Sequence, residues 1–184
     1  MSNKRKFIKK TFELIKNNFE EFNNEDISLI IANHNKIKHH DNIIRVEYID
    51  KCDHIGYIIY MVDDCYNFLD NIPGFNQSLC TENRVFLESL GIMTQHDTTV
   101  PEDAIIIAFL LHEFGHISYT KKFLNISTIQ EISNLRNIHD QSIKLLLNSK
   151  ECNDVYMRQC FLFGEHYAEM FKFQHFYKIW KQLR

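Results

Sequence analysis

The sequence predicts one α+β domain, and three observations carry that expectation. Stretches of helical length with amphipathic or capped patterns lie at residues 4–22, 99–119 and 128–147, and from 153 toward the C-terminus. Two neighbouring runs rich in β-branched and aromatic residues, 43–49 and 56–62, are joined by the short polar connection Asp50-Lys51-Cys52-Asp53-His54. The 184 residues hold no internal repeat, low-complexity tract or linker, and that length suits a single core. Residues 1–184 are therefore expected to form one unit, with helices around a short, mainly antiparallel sheet.

The elements follow in order. In residues 4–22, Phe7, Ile8, Phe12, Leu14 and Ile15 interleave with Lys4, Arg5, Lys6, Lys9 and Lys10, which makes an amphipathic helix with a solvated basic face. Asn23-Asn24-Glu25-Asp26 stops it and caps a second helix expected over 27–32. Residues 33–41 read as a polar loop, and the two strands follow as a hairpin. Residues 63–80, with Pro73-Gly74, are mostly turn and loop, and the middle of the chain leaves room for a third strand. A short helix opens at Ser78 or Thr81, runs through Leu90 and ends at Gly91. Thr99-Val100-Pro101-Glu102 combines a capping box with proline in the first turn, and it starts the helix that runs to Tyr119. Thr128-Ile129-Gln130-Glu131 repeats the box and leads a helix through Leu147, with Ile132, Leu135 and Ile138 facing inward. The last helix, from Asn153 onward, is expected to pack against the helix of residues 99–119.

Composition excludes several classes of function. Fifteen phenylalanines and eight tyrosines make a bulky, well-anchored core. A net charge of −3 and a pI near 6.4 provide no overall field for nucleic acid or an anionic membrane. No run approaches the roughly 18 apolar residues of a membrane-spanning helix, and the charged first ten residues do not read as a secretory leader. Cys52, Cys65, Cys80, Cys152 and Cys160 are odd in number and contain no C-x-x-C pair. That usage favours reduced thiols and a cytoplasmic location over a disulfide scaffold or a thiolate metal site.

The strongest chemical signal is Leu111-His112-Glu113-Phe114-Gly115-His116-Ile117, an H-E-x-x-H sequence in an uncharged stretch. His112 and His116, four apart on a helix, face the same way and can hold one Zn²⁺, while Glu113 can take a proton from a water that the metal acidifies. A catalytic zinc usually takes three protein ligands, so a third must come from elsewhere. The metzincin spacing is excluded, because Lys122 stands where its third His belongs and Tyr119 where it needs glycine. His139 is followed by Asp140 rather than the glycine of a SprT-like pattern, and Cys80 lies outside any deformylase-type motif. Glu165 and Glu169 are four apart on one face of the last helix, so both carboxylates can address one site. One would bind metal and the other would accept the free N–H of a liganding His. Gly164 and Ala168, also four apart in that helix, would let two helices approach closely. His166 and His139 remain competing ligands, and Tyr119, Tyr156, Tyr167 and His166 are candidate donors to a developing oxyanion.

H-E-x-x-H followed by Glu165, Ala168, Glu169 and Phe171 resembles the gluzincins, and above all the small ImmA/IrrE metallopeptidases, whose second motif reads roughly E-x-x-A-[DN]-x-F-A. The resemblance covers residues 104–119 and 164–171. It implies a minimal zincin-like domain with Zn²⁺ as cofactor, His112, His116 and Glu165 as ligands, Glu113 as general base and Glu169 in the outer shell. A protein or peptide would then be the substrate. This sequence departs from the pattern at Glu169, where a shorter Asp or Asn is usual, and at Lys172, where a small residue is common. A zinc-binding regulatory protein without turnover and a metal-free helical interaction module are the competing readings.

Overall fold

The computed structural model describes residues 3–33, 44–51, 54–63, 84–97, 100–124, 130–131, 134 and 164–184. The first helix, α1, spans Asn3–Asn18 and buries Ile8, Thr11, Phe12 and Ile15 along one stripe of helical spacing. Phe19, with extended backbone, breaks it, and a 3₁₀ turn over Glu20–Phe22 drives Phe22 into the core. The expected single helix to residue 22 is thus two pieces.

Ile27–Ala32 is a strand, β1, and not the expected second helix. A six-residue run with Ile27, Ile30 and Ile31 is too short for its periodicity to separate helix from strand, and its β-branched residues favour the strand once a partner exists. That partner is β3, Ile55–Val62, which runs parallel to β1 with Ile27 opposite Tyr57. Asp26 does not cap a helix; its carbonyl accepts the Tyr57 N–H at 2.7 Å and opens the ladder. The expected hairpin is present: β2, Ile44–Asp50, pairs antiparallel with β3 across a turn in which the Lys51 N–H reaches the His54 carbonyl at 3.0 Å. The strand order β1-β3-β2 makes the sheet mixed instead of mainly antiparallel, with β3 central. The loop expected over 33–41 and the middle segment 64–80 lie, apart from Asn33, outside the described residues.

Residues 84–89 form α2, which ends as expected at Gly91. Gly91 has φ +67, its N–H reaches the Glu88 carbonyl at 2.9 Å, and the Ile92 N–H reaches the Leu87 carbonyl at 2.9 Å. These two bonds are the pair that a left-handed C-terminal residue makes when it closes a helix.

Helix α3 spans Glu102–Tyr119 and is buried on several faces through Ala104, Ile106, Ile107, Leu110, Leu111, Phe114, Gly115, Ile117 and Ser118. It starts two residues later than the capping box predicts. Pro101 occupies the capping position with ψ 131 and no side-chain cap hydrogen bond, Glu102 pairs with Lys4 at 2.7 Å, and Thr99 lies outside the described residues. A π-helical turn, Thr120–Leu124, follows α3. Of the helix expected over 128–147, only residues 130, 131 and 134 are described, and they are helical.

The last helix, α4, spans Glu165–Leu183. Gly164 is not inside it, as the spacing argument had it, but at its start with φ 79, a left-handed conformation that ordinary side chains resist. The stretch 153–163 lies outside the described residues. Helices α3 and α4 pack together as expected, and the small-residue contact falls at a different pair, Gly115 against Ala168. A Cβ built on Gly115 would lie 2.7 Å from the Ala168 Cα and 3.1 Å from its carbonyl oxygen. Around this seam Phe114 meets Phe12 at 5.4 Å and Phe22 at 4.9 Å between ring centroids, while Phe22 meets Phe171 at 6.1 Å. These rings join α1, α3 and α4 into one core.

Because backbone and not a flexible side chain blocks that space, Gly115→Val is expected to lower the free energy of unfolding by about 1–3 kcal/mol, the range for overpacked cores. Chemical denaturation measures it. An unchanged midpoint would mean that the two helices part without cost.

Candidate metal centre

The α-helical pitch places His112 and His116 one turn apart on α3, with ring centroids 4.7 Å apart and nearly perpendicular. Their Nε2 atoms are 3.0 Å from each other. Gly164 brings α4 in beside them: a Cβ there would lie 3.0 Å from the Tyr119 ring and 3.5 Å from the His116 Nδ1. Glu165 opens α4, where a carboxylate is favoured by the helix dipole. Its Oε2 is 3.3 Å from the His112 Nε2, and its Oε1 is 3.4 Å from the His116 Nε2. One ligand atom from each of His112, His116 and Glu165 lies within 4.8 Å of the others, so this triad could hold a metal ion. The three side chains are 19–29% exposed, which leaves the site open to solvent on one side.

Behind the triad, the His112 Nδ1–H donates to the Glu169 Oε1 at 2.7 Å, which fixes the ring and turns Nε2 toward Glu165 and His116. Lys172, itself buried, donates to the other Glu169 oxygen. Burial opposes charge on Glu169, but the hydrogen bond from His112 and the charge and hydrogen bond of Lys172 outweigh it and hold the carboxyl at about 2. Burial likewise opposes the imidazolium of His112, yet hydrogen bonds to Glu165 and Glu169 and the Glu113 charge push it up to about 10.

Glu113 points to the sheet side of α3 and is 6% exposed. Burial raises its carboxyl to about 7, the Glu165 charge adds to that, and the His112 charge and a hydrogen bond from the Val46 N–H pull the other way. Val46 is on β2, and a second tie joins the same strand to α3, with the Tyr48 hydroxyl 3.1 Å from the Thr120 Oγ1.

The geometry thus brings His112, His116 and Glu165 together, sets Glu169 behind His112 and leaves Glu113 between helix and sheet. His166 is exposed and does not join the cluster, and His139 and Tyr156 lie outside the described residues. The Tyr167 hydroxyl is engaged by Ser118 at 3.0 Å and Lys122 at 3.2 Å. Tyr119 stacks with Phe123 and Tyr167 at 5.3 and 5.7 Å. Sequence reasoning missed the inward course of Lys172, which its spacing from Glu169 equally allows on a solvated face. It also missed Val46, for which a backbone N–H leaves no sequence signal at all.

No protein family, curated protein or solved structure matches the chain. Among the described residues, no helix is long and apolar enough to cross a membrane.

Metal ligation needs a bare Nε2, whereas His112 in the metal-free protein stays protonated up to about pH 10. Metal uptake at neutral pH is therefore expected to expel at least one proton. The calorimetric binding enthalpy of Zn²⁺ should then vary with the ionisation enthalpy of the buffer. Affinity should rise about tenfold per pH unit from 7 toward 10, the slope for one displaced proton. A binding enthalpy that is the same in every buffer would contradict this protonation state.

Proposed function

We propose that this chain is a zinc-dependent peptidase of the gluzincin type, built on a minimal zincin-like domain. One observation carries the reading: two imidazoles and one carboxylate, from helices distant in sequence, converge with donor separations of 3.0, 3.3 and 3.4 Å. Tetrahedral ligands at about 2.0–2.1 Å from a zinc ion lie roughly 3.3–3.4 Å apart, and each imidazole has a Glu165 oxygen at that spacing, Oε2 for His112 and Oε1 for His116. Two His and one Glu also match the ligand set of the H-E-x-x-H peptidases that leave a fourth position open. The outer-shell bond to Glu169 is the partner that a zinc-binding His commonly has.

Bound zinc would supply polarisation of the scissile carbonyl and an acidified water. Glu113 would be the group that takes the proton of that water and returns it to the leaving amine. A carboxyl raised to about 7 is suited to both halves of that transfer. Glu169 holds the His112 ring in one tautomer throughout. His116 and Glu165 would complete the grip on the ion, and their partial exposure puts the site at the solvent side.

The substrate is a protein or peptide laid as an added strand along β2. In an antiparallel pair, hydrogen-bonded residues alternate with residues whose main chain faces away. The Lys51–His54 bond sets that alternation, so Arg45, Glu47 and Ile49 pair with β3, while Ile44, Val46, Tyr48 and Asp50 turn their main-chain groups to the outer edge. The Val46 N–H on that edge reaches Glu113, so the edge runs beside the proposed general base. Among the described residues β2 pairs with no strand but β3, so a substrate would add along that outer side, past the Val46 N–H that Glu113 already holds. β3 is paired on both sides and offers no such edge. A cytoplasmic setting accords with an odd number of cysteines and no C-x-x-C spacing.

Zinc is expected at about one ion per chain. Glu113→Gln should retain the metal and lose cleavage of an unstructured protein by about 10²–10⁴-fold, the range for a general base. Peptide cleavage by the metal-free protein, or unimpaired cleavage by the Gln variant, would overturn this mechanism. Full zinc occupancy with a fourth protein ligand closing the site would point to the regulatory, non-catalytic alternative.

A further inference from the structure

We infer that Lys172 is a positioning residue for the metal centre, fixing the Glu169 carboxylate so that its other oxygen is aimed at Nδ1 of His112. The inference rests on the metal reading above and adds to it a residue that the H-E-x-x-H logic does not call for.

The geometry is a short relay through two elements. Lys172 lies one helical turn after Glu169 on α4, and its Nζ donates to Oε2 of that carboxylate. Oε1 of the same group accepts from His112 at 2.7 Å, on α3. The Lys172 side chain is only 7% exposed and the Glu169 side chain 18%. Lysine almost never becomes this buried unless it is paired, so the slot itself needs an explanation. A helix surface pair at this spacing would be solvated and weak, whereas this one is screened by its packing.

Phe171, beside Lys172 in the chain, is 4% exposed in the core, and the Phe173 ring lies 4.6 Å from the ammonium. Phe173 in turn packs edge-on against Phe86 at 4.7 Å. At 7% exposure the ammonium meets little water, and among the described residues the carboxylate it pairs with is that of Glu169.

A glutamate has one more side-chain torsion than an aspartate, so a single hydrogen bond at one oxygen leaves its carboxylate free to swing. Holding the second oxygen removes that freedom. Orientation of the imidazole is what an outer-shell carboxylate contributes to a metal ligand, and loss of such a partner typically costs 10–100-fold in metal affinity. Lys172, one step further out, should cost less and should act only while Glu169 is there to transmit it.

The test uses the full chain stripped of metal and titrated with Co²⁺, whose visible absorption reports the ligand geometry. Lys172→Met, which is one atom shorter, stays unbranched and removes the charge, is expected to weaken Co²⁺ binding about three- to tenfold, less than the roughly 10–100-fold expected for Glu169→Gln. Its visible bands should shift in the same direction as those of Glu169→Gln, a change that general loosening of the fold does not produce. In the Glu169→Gln background, Lys172→Met should have no further effect on affinity. Should the methionine variant fail to fold, Lys172→Gln carries the same comparison.

Unchanged affinity and bands, or an equal loss with and without Glu169, would overturn the role of Lys172 and leave the metal centre standing. An unaltered chain that binds no Co²⁺ would instead remove the metal centre, and this inference with it.

Discussion

Helices α3 and α4 meet backbone to backbone at Gly115 and Ala168, where a single added methyl group would lie 2.7 Å from a Cα atom. The cluster of donors depends on that contact. Glu165 is three residues before Ala168, and His112 is three residues before Gly115, so the short separation at the seam sets the reach required of each side chain one turn away. Ordinary helix pairs lie about 8–10 Å apart, and only small residues at the crossing permit the lower end of that range. With a larger residue at the seam, a carboxylate on α4 would fall short of the two Nε2 atoms. The aromatic cluster of Phe12, Phe22, Phe114 and Phe171 then holds the helices at that distance from the other side of α3.

Much of this was legible in the sequence, and the losses have physical causes. H-E-x-x-H can be read directly because the α-helical repeat alone brings His112 and His116 together. Glu165 and Glu169 are readable for the same reason, as two carboxylates on one stripe of a helix. The hairpin of β2 and β3 carries its own local signal in alternation and turn. β1 carries none, because Ile27–Ala32 owes its extended form to a partner about thirty residues away. Gly164 and Ala168 were legible as small residues, but spacing could not tell a helix interior from a helix start. The left-handed backbone at Gly164 separates them. Which side of α4 Lys172 takes is likewise a property of packing, since its place in the chain suits either.

The sheet matters to the site mainly through one edge. β2 is tied to α3 by the Tyr48–Thr120 contact and by the Val46 N–H on Glu113, so helix and strand keep a fixed relation around that carboxylate. With β3 in the centre and β1 laid parallel on its far side, the antiparallel hairpin is pushed outward and β2 becomes the edge nearest the helix. Burial of Glu113 between the two elements is the largest cause of its raised pKa, so the fold itself sets the protonation behaviour of the residue assigned to move the proton.

The charges of the cluster argue for a cation. Glu113, Glu165 and Glu169 gather three carboxylates around His112, and Lys172 directly answers only the last of them. In the metal-free protein, protons do the compensating: His112 is held charged up to about pH 10, and Glu113 keeps its proton up to about pH 7. The His112 shift follows from the carboxylates around it, against its burial, and the Glu113 shift mainly from burial; such crowding is unfavourable unless positive charge joins it. A divalent ion at the convergence of the two Nε2 atoms and Glu165 would replace the His112 proton. It would also favour the ionised form of Glu113 that a proton acceptor needs. The same ion would leave the Glu169–Lys172 pair unaltered, because that pair is already neutral as a unit. Two populations of charge are therefore built into one site: an outer pair balanced within the protein, and an inner set balanced by protons that a bound cation would displace.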